Sequence, residues 1–152
     1  MKPRFMSAAR AAFFGWLAGW LAGLPLQLIE AVRNADFAGT MAAPLFIEML
    51  SLSVALWTVL TLGFACYCCC LFFFPAAWII PPAALVAHRT LWIAASAVFG
   101  FVLMALRAHV WTVLDHDGVG LSNFWTWAAF NAIFFAVTAA QYYRQTRRIL
   151  AS

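Results

Sequence analysis

The chain has 152 residues, of which 66% are hydrophobic and 9% charged, with a mean hydropathy of +0.91 and a formal net charge of +4. Soluble globular domains are nearer half apolar and a quarter charged. The composition therefore excludes a soluble catalytic domain, a nucleotide-binding fold and a receptor ectodomain, and points to a polytopic integral membrane protein.

Four apolar stretches follow one another, over about residues 11–29, 43–70, 90–114 and 124–142. Each is close to or above the roughly 20 residues that cross a bilayer as a helix. Backbone polar groups in lipid are satisfied only in helices or closed barrels. The strict alternation of barrel strands is absent, so the spans are predicted to be helices. The expected fold is all-α, one membrane domain with four transmembrane helices in a compact bundle. Between the second and third spans, residues 71–89 form a hydrophobic segment broken by Pro75, Pro81 and Pro82. Because prolines interrupt helices, this segment is expected to lie along an interface. The basic start and apolar core of the first span resemble a secretion signal. The core is long for one, however, and no small-residue cleavage site follows, so the span is expected to stay as an anchor.

Charge placement predicts the orientation. Lys2, Arg4, Arg10, Arg89, Arg144, Arg147 and Arg148 fall on one side of the spans with no acidic residue among them. Glu30, Asp36, Glu48, Asp115 and Asp117 fall on the other, with Arg33 and Arg107. Excess Lys and Arg mark the cytoplasmic side, so both termini are expected there. A bacterial inner membrane is the expected location. The basic pI of 9.2 then reflects topology, and no nucleic-acid partner is expected.

The first span carries the repeat GWLAGWLAG, which places Gly15, Gly19 and Gly23 in one row at intervals of four. Such a glycine zipper gives a helix a flat face against which another backbone can pack, either within the chain or on a partner. Trp16 and Trp20 form a bulky row beside it. The other tryptophans, among them Trp57, Trp78, Trp92, Trp125 and Trp127, read mostly as an interfacial aromatic belt.

Ionisable groups inside spans are candidates for function. Counted from the outer ends of their spans, Glu48 and Arg107 sit at depths of roughly 7 and 11 Å, close enough for a snorkelling arginine to reach the carboxylate. Ser51 and Thr58 follow Glu48 at helical spacing, and Asn131 lies near the middle of the fourth span. Glu48, Ser51, Thr58, Arg107 and Asn131 are therefore expected to form an intramembrane polar network. If that network is open to the outer leaflet, Glu48, Arg107 and His109 are the candidate catalytic or carrier residues, with Arg107 holding an anionic headgroup and His109 exchanging protons.

His109, Asp115, His116 and Asp117 offer nitrogen and oxygen ligands, but the spacing matches no metal motif and DHDG also reads as a hydrated turn. No metal or cofactor is expected. All four cysteines lie within CYCCC, at Cys66, Cys68, Cys69 and Cys70, with no second pair to complete a zinc site.

No nucleophile and base pair, phosphate loop or strong metal motif can be placed, so an enzyme is not the preferred reading. The leading expectation is a small non-catalytic membrane protein that packs against a membrane partner or a second copy of itself, as an accessory subunit or an immunity-type protein. The alternative is a membrane enzyme or carrier for a lipid or quinone at the outer leaflet.

Overall fold

The computed structural model describes the backbone of residues 2–37, 43–114 and 124–151, with side chains over 5–29, 32, 47–107 and 124–151. Six α-helices make up the described chain, and no strand occurs among the described residues. Helix α1 spans Lys2–Phe37 and runs through Pro25 without a break. Helix α2 spans Ala43–Cys68 and passes directly into a π-helical turn, Cys69–Phe73, then into α3, Phe74–Ile79. The wide turn is closed by the Phe74 N–H bonding to Cys69 O. Pro75, which lacks an N–H, follows directly on this wide turn, at the start of α3. The second apolar helix thus continues to Ile79 rather than ending near residue 70. It stops at Ile80, which is extended (ψ 121°), as the residue before Pro81 should be.

Helix α4 is short, Pro82–Ala87, with Pro82 at its start and the Ala84 and Leu85 N–H groups bonding to Pro81 O. Helix α5 spans Arg89–Leu114 and α6 spans Phe124–Ala151. Among the described residues, three stretches are long and apolar enough to cross a membrane: Phe5–Ile29, Ile47–Ile79 and Arg89–Arg107. Their outer faces are apolar and open, with Phe13, Leu21, Leu52, Leu56, Val59, Leu91 and Val98 all exposed. That is the surface of an integral membrane protein in contact with lipid.

α6 is the hub. It packs against both α1 and α5, while α2 packs on α1 and reaches α6 through Trp57 and Phe64. Thr126, Ala128, Phe130, Asn131, Phe134, Phe135 and Thr138 of α6 are all buried. A helix screened from lipid by its neighbours can be less apolar than they are, and α6 carries Asn131, Gln141 and three arginines. The core is an aromatic cluster in which Trp57 meets Trp127 (5.1 Å) and Phe130 (5.7 Å) edge-on, and Phe73 meets Phe134 (5.6 Å).

The glycine row is used inside the chain. A Cβ on Gly15 would collide with Thr138 Oγ1, and one on Gly19 would come 2.9 Å from Phe130 O, both on α6. A Cβ on Gly23 would strike the Trp57 ring of α2. The row lies at the junction of three helices.

Candidate functional site

The polar side chains at membrane depth fall into two groups. The first is a ladder between α1 and α2. Trp16 Nε1 donates to Thr61 Oγ1 (3.2 Å), Trp20 Nε1 to Thr58 Oγ1 (3.1 Å) and Gln27 Nε2 to Ser53 Oγ (3.3 Å). Thr58 and Thr61 donate in turn to the carbonyls of Val54 and Trp57. In each of these three bonds the indole or amide donor is on α1 and the accepting hydroxyl on α2, the donors advancing from residue 16 to 27 as the hydroxyls retreat from 61 to 53. This arrangement fixes the antiparallel register of the pair.

The second group lies in an open groove of about 310 Å³ between α2 and α5. Phe64 and Tyr67 form one wall, Leu103, Met104 and Arg107 the other, and Asn131 contributes to the floor. The edge-on contact of Phe72 with Phe99 (5.1 Å), both near Phe135, bridges the two sides beyond one end. Toward the other end the Arg107 guanidinium carbon stands 5.1 Å from the centroid of the Trp127 ring. Asn131 is fully buried and donates to Trp127 O (2.7 Å). Its Oδ1 has no partner, and it is the only such buried side-chain atom among the described residues. α5 comes close enough to α6 to form this floor because of Gly100, where a Cβ would lie 2.6 Å from Asn131 O.

Glu48 and Arg107 are not brought together. Trp57 packs on Trp127, beneath Arg107, whereas Glu48 precedes Trp57 by nine residues, about 13 Å along the helix. α2 and α5 are also not packed against each other. Glu48 is exposed, and Ser51 Oγ donates to its backbone carbonyl rather than to its side chain (2.8 Å). Of the expected network, Thr58 belongs to the ladder, and Arg107 and Asn131 belong to the groove. The side chain of His109 lies outside the described residues, as do Asp115, His116 and Asp117 altogether. No group of three or more metal-binding side chains occurs among the described residues.

Trp57 is a core residue, only 3% exposed, whereas Trp78 (76%) and Trp125 (71%) face outward. Cys68 is buried, Cys66 and Cys70 are exposed, and all four thiols are free. A second, smaller cavity of about 110 Å³ lies at the basic end, lined by Phe73, Arg89, Trp92, Ser96 and Tyr142 among others. There Arg89 stands 5.3 Å over the Tyr143 ring. Sequence reading did not single out Gly100 or Thr61, and both carry helix contacts. Gly100 belongs to no periodic pattern that would mark it, whereas Thr61 continues the Ser51 and Thr58 row one turn further.

No protein-family model, curated protein or solved structure matches the chain.

Proposed function

We propose that the chain is a non-catalytic membrane protein with four spans that works by lateral contact with a membrane partner, as an accessory subunit or an immunity-type protein. The observation that carries this reading is the use of its membrane-depth polar groups. Most bond to one another or to helix carbonyls, and the surface that remains is apolar. α6 is read as the fourth span: Phe124 to Arg144 covers about 30 Å of helix, as do Arg10 to Glu30 on α1, matching the hydrocarbon core. The arginines at the basic end then face the cytoplasm, together with both termini, in a bacterial inner membrane.

Because Gly15, Gly19 and Gly23 are covered internally, the partner contact falls on another face. α2 supplies one in exposed Leu52, Leu56, Val59 and Leu60, continuing to Gly63, where a Cβ would meet nothing within 4 Å. The test is purification from native membranes in gentle detergent with a photo-crosslinker at Leu56, read by native mass spectrometry. A stoichiometric protein adduct lost in Gly63→Trp supports the reading. A chain that crosslinks only to lipid removes it.

A second reading, a lipid site at the outer leaflet, is favoured by one observation. Arg107 stands in an open apolar groove and pairs with no described carboxylate.

A further inference from the structure

The groove between α2 and α5 combines three features whose chemistry converges on one ligand class. The first is a cation. Arg107 is exposed at the groove wall, and its only described partner is the face of Trp127. A guanidinium at this depth is costly in hydrocarbon, and the π face compensates only part of its charge. Its planar fork suits a phosphate, which can accept two parallel N–H bonds. The second is an acceptor. Asn131 Oδ1 is buried without a donor, and a polar atom left so inside lipid calls for an explanation. Asn131 follows Trp127 by one helical turn, so the acceptor lies about 6 Å deeper than the cation's stacking partner. The third is shape. The groove is apolar, open along its outer side, and at about 310 Å³ near the lower limit of ligand pockets, room for one acyl chain rather than two.

An anion at the rim, a hydroxyl donor one turn below it and a single chain along the walls together describe one molecule type. We propose that this groove binds an anionic lysophospholipid. Its phosphate pairs with Arg107, the free glycerol hydroxyl donates to Asn131 Oδ1, and the acyl chain lies between Phe64 and Leu103. A glycerol backbone spans the short distance from phosphate to free hydroxyl, whereas a diacyl lipid has that oxygen esterified and offers no donor on the acyl side of the phosphate. Oδ1 is covered in the empty groove, so the hydroxyl reaches it as a wall side chain shifts. Met104, unbranched and adaptable, lines the same groove. This inference rests on the second, outer-leaflet lipid reading above and names the ligand class for it.

The test places the full chain in phosphatidylcholine nanodiscs and titrates it with lysophosphatidylglycerol, reading adducts by native mass spectrometry. The expected result is one saturable adduct per chain. The analogue with the backbone glycerol hydroxyl, the one left free by the missing acyl chain, replaced by hydrogen should bind about five- to tenfold more weakly, as for one lost hydrogen bond. Deleting the hydroxyl from the ligand tests Asn131 without disturbing a buried residue. Arg107→Gln, at an exposed position, should weaken binding more than tenfold while leaving far-ultraviolet circular dichroism unchanged. Equal binding of the hydroxyl-free analogue, or Arg107-dependent binding of diacyl phosphatidylglycerol in preference, overturns the lysophospholipid assignment but keeps a lipid site. Binding that ignores Arg107→Gln overturns both.

Discussion

Substituting Gly100 by alanine tests the α5–α6 contact at its closest point. The added Cβ would lie 2.6 Å from Asn131 O, 2.9 Å from Asn131 C and 2.9 Å from the Phe135 ring. Backbone atoms cannot rotate away, so the helices must separate by roughly 0.8 Å to restore an ordinary contact near 3.4 Å. A gap of that size forfeits a quarter to a half of the dispersion attraction along the contact, and overpacking of this kind costs about 1–3 kcal/mol. Alanine recovers about 1 kcal/mol through its helix propensity, leaving a net loss of about 0–2 kcal/mol. Gly63→Ala is the matched control. It has the same propensity gain and no atom within 4 Å of the new Cβ, so it should leave the chain unchanged or up to about 1 kcal/mol more stable. Reversible unfolding in mixed micelles, followed by tryptophan fluorescence, measures both. If the two variants shift the midpoint equally, the close approach of α5 to α6 at Gly100 is refuted.

Three further outcomes follow from the same geometry. In a double-mutant cycle of Trp20→Phe with Thr58→Val, the coupling should be about 0.5–1.5 kcal/mol, and a coupling of zero would remove the ladder as a source of α1–α2 register. Asn131→Leu loses one bond to Trp127 O but also an unpartnered buried acceptor, so unfolding in the absence of added lipid should show it as stable as the parent or more so. A large destabilisation would mean that Oδ1 has a partner. Glu48→Gln should leave the unfolding midpoint unchanged, since the carboxylate is exposed and unpaired with Arg107, and a marked fall would restore the expected ion pair.

The helices were legible because hydrophobic runs of that length have few alternatives, and the glycine row because its period of four matches a helix face. What covers that row was not legible. Gly15 and Gly19 meet α6 and Gly23 meets α2, and periodicity along one helix says nothing about its neighbours. Glu48 and Arg107 were paired by counting depth from the ends of their own spans. That count fails when the ends of the helices are not level: Arg107, seven residues from the end of α5, stands over Trp127, which packs on Trp57, fourteen residues from the start of α2. Trp16 and Trp20 read as bulk because their indole N–H groups matter only once Thr61 and Thr58 are opposite. Gly100 is a single glycine without a repeat, and the π-helical turn at Cys69–Phe73 has no polar or glycine signal to announce it.

The central position of α6 has a consequence for biogenesis. In chain order this helix follows both of the helices it holds apart. As the polypeptide emerges, α1 and α2 can close on each other at once through their indole and hydroxyl pairs. α5 has no such anchor, because only 11% of its Arg89–Arg107 stretch is buried and its main packing surface is α6. Until α6 is made and packs, the Gly15 and Gly19 face of α1 and the Gly100 face of α5 remain open to other helices in the membrane. Nascent chains at that stage are the species most prone to pair with the wrong neighbour or be captured by an insertion factor.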